Sequence, residues 1–306
     1  MINEHDSEWL GYPIKAYSPE DGTPDYKNTI YRIAVDWDSK ATLADLVTSF
    51  LADPASSEVP AISVGTFGES DSDPIPVVEA LAAAHSRLPN LRGLFIGDII
   101  GEENEISWIQ QADLSPLFKA FPLLTHFRTR GGNGLSLGRI DHQNLKSLIV
   151  EAGGLPRNVV QEILSSNLPS LEHLEIWTGT DNYGWDGTIK DFEPLFATPI
   201  FPQLKYLGLR NSEIADELAV ALAGNSAFPV LETLDFSLGT LTDVGAEHLL
   251  SSPVVKQLKH LDLHYHFLSQ EMMDLFAKTF PSARLDDRQE SEEDGGEAYR
   301  YVAVSE

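Results

Sequence analysis

The strongest constraint on how this chain folds is a short pattern that it repeats, apolar-x-x-apolar-x-apolar. The pattern occurs at Ile30, Ile33, Val35, at Val59, Ile62, Val64, at Leu91, Leu94, Ile96, at Leu124, Phe127, Thr129 and at Leu145, Leu148, Val150. It returns at Leu171, Leu174, Ile176, at Leu204, Leu207, Leu209, at Leu231, Leu234, Phe236 and at Leu258, Leu261, Leu263. Recurrence at intervals of 21 to 33 residues marks an array of structural repeats. Successive strand residues point to opposite faces, so the fourth and sixth positions of each copy face one core and the residues between them face the other way.

Each interval has room for a strand, a loop and a helix of two to three turns, and helix signals sit where that predicts them. Thr242 is placed to cap a helix carrying Leu249 and Leu250, and Ser269 to cap one carrying Met272, Leu275 and Phe276. Gly224 is a stop after DELAVALA. The 21-residue interval containing GGNGLSLG is too short for a helix. Parallel strands stack about 4.8 Å apart while packed helices need about 8 to 10 Å, so such an array curves with its strands inside. Burying about five large apolar side chains gains on the order of 10 kcal/mol, less than the ordering entropy of one repeat, so each repeat needs neighbours.

The pattern, clearest from Leu231 to Leu250, resembles the leucine-rich repeat family in its helix-containing, ribonuclease-inhibitor-like class, and resembles bacterial cytoplasmic families of such proteins with no assigned function. The resemblance implies an α/β leucine-rich repeat solenoid, a horseshoe with parallel strands on the concave side and helices on the convex side. It also implies a protein ligand, with a basic one suggested by the inhibitor, whose abundant cysteines this chain lacks. One continuous domain is expected: an N-terminal cap over 1–29 with Trp9, Tyr12 and Ile14, an array of about nine to ten repeats over 30–280, and an acidic loop with a capping strand over 281–306, where Tyr299, Val302 and Val304 restore the spacing.

The absence of cysteine among 306 residues excludes disulfides, thiolate metal sites and cysteine nucleophiles and fits a reducing compartment, with the cytoplasm as the default. A formal charge of −26 repels nucleic acid, and the surplus acids either do no more than keep the chain soluble or favour a basic partner. The opening residues, with Glu4, Asp6 and Glu8, do not read as an export signal, and no apolar run is long enough to span a bilayer.

The outward positions form three rows across the expected concave face: Gly93, His126, Ser147, His173, Tyr206, Thr233, His260; then Phe95, Arg128, Ile149, Glu175, Gly208, Asp235, Asp262; then Gly97, Arg130, Glu151, Trp177, Arg210, Ser237, His264. Tyrosine, tryptophan and arginine dominate protein interfaces, so Arg128, Glu175, Trp177, Tyr206, Arg210 and Asp235 are the candidate partner contacts, with Trp177 expected to stand exposed. Tyr183 and Trp185, in the inserted loop 178–191, and Trp108, in the loop 97–113, either flank that surface or fold back to seal the scaffold. Lys119, His126, Arg128, Arg130 and Arg139 form an acid-free island around GGNG that could hold an anion.

Phosphate-binding, nucleophile-turn, zinc-protease and dinucleotide motifs are missing, and no cofactor is indicated. The expectation is therefore a non-enzymatic protein-interaction scaffold. The alternative is a metal- or anion-dependent enzyme using His260, Asp262 and His264, which alternate along one strand. An assembly component pairing through its flanks is a third class.

Overall fold

A computed structural model describes residues 2–20, 24–36, 39–69, 72–225 and 227–306. Fourteen strands are present among the described residues: β1 Glu8–Trp9, β2 Tyr12–Ala16, β3 Ile30–Val35, β4 Ala61–Phe67, β5 Gly93–Ile96, β6 His126–Arg130, β7 Ser147–Glu151, β8 His173–Gly179, β9 Tyr206–Ser212, β10 Thr233–Asp235, β11 His260–Asp262, β12 Ala283–Arg284, β13 Glu292–Asp294 and β14 Glu297–Tyr299. The helices are α1 Leu43–Ala52, α2 Ile75–Ala83, α3 Ser115–Ala120, α4 Arg157–Leu164, α5 Glu193–Ala197, α6 Ala215–Ala223, α7 Asp243–Ser251, α8 Pro253–Gln257 and α9 Gln270–Thr279.

The first twelve strands form one sheet in sequence order. The β1–β2 pair is antiparallel, and every pairing from β2 to β12 is parallel. Parallel neighbours require a crossover, and α1 to α9 supply it in every interval from β3 to β12 except that between β6 and β7, the GGNG repeat. Thr242 and Ser269 cap α7 and α9 through their hydroxyls, and Gly224 ends α6.

The ladder puts Leu94, Phe127, Leu148, Leu174, Leu207, Leu234 and Leu261 in one row, all fully buried or nearly so. This row and the helix faces behind it form the main core. The first repeat departs from the expected frame. Tyr31 pairs with Ile62, and Ile33 with Val64, so the apolar frame begins two residues earlier than the spacing suggests. A slip of two preserves the face, and Tyr31, Ile33 and Val35 are all buried, which is why alternation alone does not fix it.

The C-terminal segment also departs from expectation. The acidic run forms the β13–β14 hairpin, separate from the main sheet, and Tyr299 ends that hairpin. Val302 and Val304 are buried but belong to no strand. Residues 301–305 run as a strap back along the repeats. Tyr265 donates its hydroxyl to the Tyr301 carbonyl, the Ala303 N–H donates to the Leu238 carbonyl, and Asn211 grips both the N–H and the carbonyl of Val304. Ser107 then donates its hydroxyl to the Ser305 carbonyl.

Val304 sits in a second, smaller cluster with Ile99, Ile106, Ile109 and Trp177, to which Ile2 and Leu238 also contribute. The strap closes tightly because Gly153 lies beneath it: a Cβ there would stand 2.6 Å from the Ser305 carbonyl oxygen. No helix among the described residues is long and apolar enough to cross a membrane.

Candidate partner-binding face

The sheet brings the outward-pointing residues together in register. His126, Ser147, His173, Tyr206, Thr233 and His260 pair in one row, and Arg32, Ser63, Phe95, Arg128, Ile149, Glu175, Gly208, Asp235, Asp262 and Arg284 in the next. In the third row only the Arg130–Glu151 and Trp177–Arg210 pairs are laddered.

Most charges on this face are spent on one another. Glu175 is 6% exposed and accepts a hydrogen bond from the Trp177 indole N–H at 2.7 Å and one from Arg210 at 2.7 Å. Arg210 also donates to the Ser237 hydroxyl at 2.8 Å, lies 3.3 Å from Asp235 and packs 4.9 Å from the Trp177 ring centre. Asp235 in turn accepts from the Tyr206 hydroxyl at 2.7 Å. Burial alone would raise the Glu175 carboxyl, but the His173 imidazole, the Arg210 guanidinium and the Trp177 N–H outweigh it and hold it down at about 2. Burial and the neighbouring Glu175 and Asp235 charges raise the Tyr206 hydroxyl, keeping it neutral as a donor.

A second network surrounds β6. Glu151 accepts from Arg128 through one carboxylate oxygen and from Arg130 through the other. Arg128 also reaches Asp6 and stacks 4.3 Å from the Phe95 ring centre, and Arg130 donates to the Ile99 carbonyl at 2.6 Å. Farther along, the buried Asp98 collects Ser63 at 2.6 Å and His5 at 2.9 Å, while Arg32 pairs with Glu103 at 2.7 Å. Burial raises the Asp98 carboxyl, but these donors and Arg32 pull it below its ordinary value.

The proposed anion island is thus occupied by the protein's own acids at Arg128 and Arg130, while Arg139 donates to the Ser165 carbonyl.

Trp177 is 4% exposed, which corrects the expectation of an open ring: Val304, Ile99 and Ile106 cover it, and its N–H is consumed by Glu175. Trp185 is likewise buried, tilted against Phe192 with ring centres 6.2 Å apart, so in the inserted loop the tryptophan seals the scaffold. Tyr183 is half-buried and donates its hydroxyl to Glu306. Trp108, by contrast, remains 59% exposed.

The half-exposed surface is centred on His173 and Tyr206, whose rings stack at 3.9 Å and an angle of 4°. The His173 Nε2 stands 3.5 Å from the Glu175 carboxylate, its nearest polar partner at the long end of hydrogen-bond reach among the described residues. Asp262 is held by His264 at 2.7 Å and Arg284 at 3.2 Å, and His260 is exposed. No cluster of three or more metal-ligating side chains occurs among the described residues. Asn211, Ser107 and Gly153, which seat the strap, carry no sequence signal beyond the glycine and the apolar alternation of Val302 and Val304.

A protein of Bacteroides fragilis whose crystal structure came from a structural-genomics programme superposes on this chain with a TM-score of 0.79 and 38% sequence identity, over 85% of this chain and 74% of that one. The chain belongs to the family of that protein. A family relationship of this kind carries the architecture. An internalin of Listeria monocytogenes superposes far more loosely, with a TM-score of 0.41 and 16% identity over 85% of this chain and 61% of the internalin. No protein-family profile and no curated protein matches the sequence.

Proposed function

We propose that this protein is a non-enzymatic leucine-rich repeat scaffold, one continuous horseshoe of the helix-containing, ribonuclease-inhibitor-like kind, that holds a protein partner against its strand face. The observation supporting this reading is the stacked His173–Tyr206 pair, half-exposed above the interlocked Glu175, Arg210 and Asp235. Aromatic rings fixed before encounter lose little rotamer freedom on binding, which favours affinity. In this reading Tyr206 and Arg210 touch the partner with His173, while Arg128, Glu175, Trp177 and Asp235 hold them in place and Tyr183 and Trp185 shape the flank.

The net charge of −26 favours a basic protein partner over nucleic acid, and the absence of cysteine suits work in a reducing cytoplasm. The test is affinity capture from a lysate with wild-type protein and a Tyr206→Ala, His173→Ala variant. The wild type should retain a protein that the folded variant loses. Equal capture by both would overturn the assignment of this face.

A further inference from the structure

A cleft lies on another surface. It occupies about 810 Å³ between α6, α7 and the end of β14, with Glu213, Glu217, Val220, Val244, Tyr299 and Arg300 in its wall. Val220, Val244 and Tyr299 are 39%, 63% and 42% exposed, and all three large apolar side chains face the same cleft. Exposed apolar side chains gathered with polar ones around one concave wall can receive apolar groups of a ligand.

The charge of the wall is one-sided. Asp216 caps the next repeat through the Thr242 and Gly245 N–H groups, leaving Glu213 and Glu217 against the single cation Arg300. Burial raises the Glu213 carboxyl, and although bonds from Asp181 and Thr180 lower it, the Asp181 and Glu217 charges push it up again. A cation placed there relieves that repulsion.

The cleft also continues. A second one of about 650 Å³ shares Glu213, Tyr299 and Arg300 with the first and adds Asp181 and Tyr301. Single small-molecule sites span roughly 300 to 1,000 Å³, so the two adjoining clefts together offer more room than one such site.

We propose that this groove binds an extended, basic, amphipathic peptide segment of a protein partner. Its cationic side chain lies between Glu213 and Glu217, and its apolar side chains lie on Val220, Val244 and Tyr299. This surface is distinct from the strand face and does not depend on it.

The experiment measures fluorescence anisotropy of a labelled, end-capped peptide of alternating arginine and leucine, beside labelled hexa-arginine and an alternating glutamate-leucine peptide. Wild type should bind the arginine-leucine peptide in preference to both others. Glu213→Gln with Glu217→Gln should weaken it about tenfold, the loss of a partly desolvated charge contact. Val244→Ser should weaken it with thermal unfolding unchanged.

Glu271→Gln with Asp274→Asn on α9 removes the same number of charges elsewhere and should leave affinity intact, as should Tyr206→Ala with His173→Ala. Hexa-arginine binding equally well, or the α9 variant losing as much as the groove variant, would reduce the effect to the general charge of the protein and overturn the site. So would undiminished binding by the folded Glu213→Gln, Glu217→Gln protein.

Discussion

At the scale of single residues, Glu175 shows how a strand position expected to meet solvent becomes structural. Its carboxylate is held at about 2, against an ordinary value of 4.5. Its contribution to stability is therefore complete above about 4.5 and is lost as pH falls towards 2. Urea unfolding across that window should show wild type losing stability with acid, and Glu175→Gln, already deprived of the charge, following a flatter profile. Gly179 is constrained by geometry instead. Its φ is +70°, and a Cβ would collide with the Gly153 carbonyl and stand 2.6 Å from the Gly154 nitrogen. Gly179→Ala should cost about 3 kcal/mol or more, measured by chemical denaturation, because a strained φ and a backbone clash add.

At the scale of elements, the strap is held by few contacts. Val304→Ala empties a socket formed by Trp177, Ile99 and Ile109, and Asn211→Ala leaves the backbone groups of Val304 without their partner. Each should cost about 1 to 3 kcal/mol locally. Hydrogen exchange should report it as faster exchange at residues 303–305, with the protection of β8 and β9 retained.

The strap also marks where reading the sequence stops working. Strands β4 to β11, their register and the helix caps at Thr242 and Ser269 were legible because alternation and capping are local and recur in every repeat. Tyr299, Val302 and Val304 satisfy the same alternation, yet Tyr299 pairs with Glu292 in a separate hairpin, and Val304 bonds Asn211, 93 residues away, and clusters with Ile106. The burial of Trp177 is hidden from the sequence for the same reason: its position on the strand is local information, and what covers it is not. The candidate face was legible as a set of positions, whereas its internal pairing, such as Arg128 with Asp6, depends on contacts across 122 residues.

At the scale of the whole molecule, the array is a stack in which each strand meets only its sequence neighbours. Such stacks unfold from their ends or split between repeats. Here the small cluster joins Ile2 and Val304 with Ile99, Ile109 and Trp177, so residues from both ends lie on the middle repeats. Ile2→Ala with Val304→Ala should lower stability and broaden the urea transition as the coupling between repeats weakens, compared by fluorescence and circular dichroism. A single sharp transition in both proteins would count against that coupling.

The gathering of Ile2 and Val304 at one small cluster has a mechanical consequence. If the molecule is stretched between handles attached near those positions, the load falls first on the clasp of Val304, Asn211 and Ser107, and the repeats behind it carry none until it opens. Pulling should therefore record one early rupture followed by sequential peeling, whereas handles moved to the outer helices would record peeling alone.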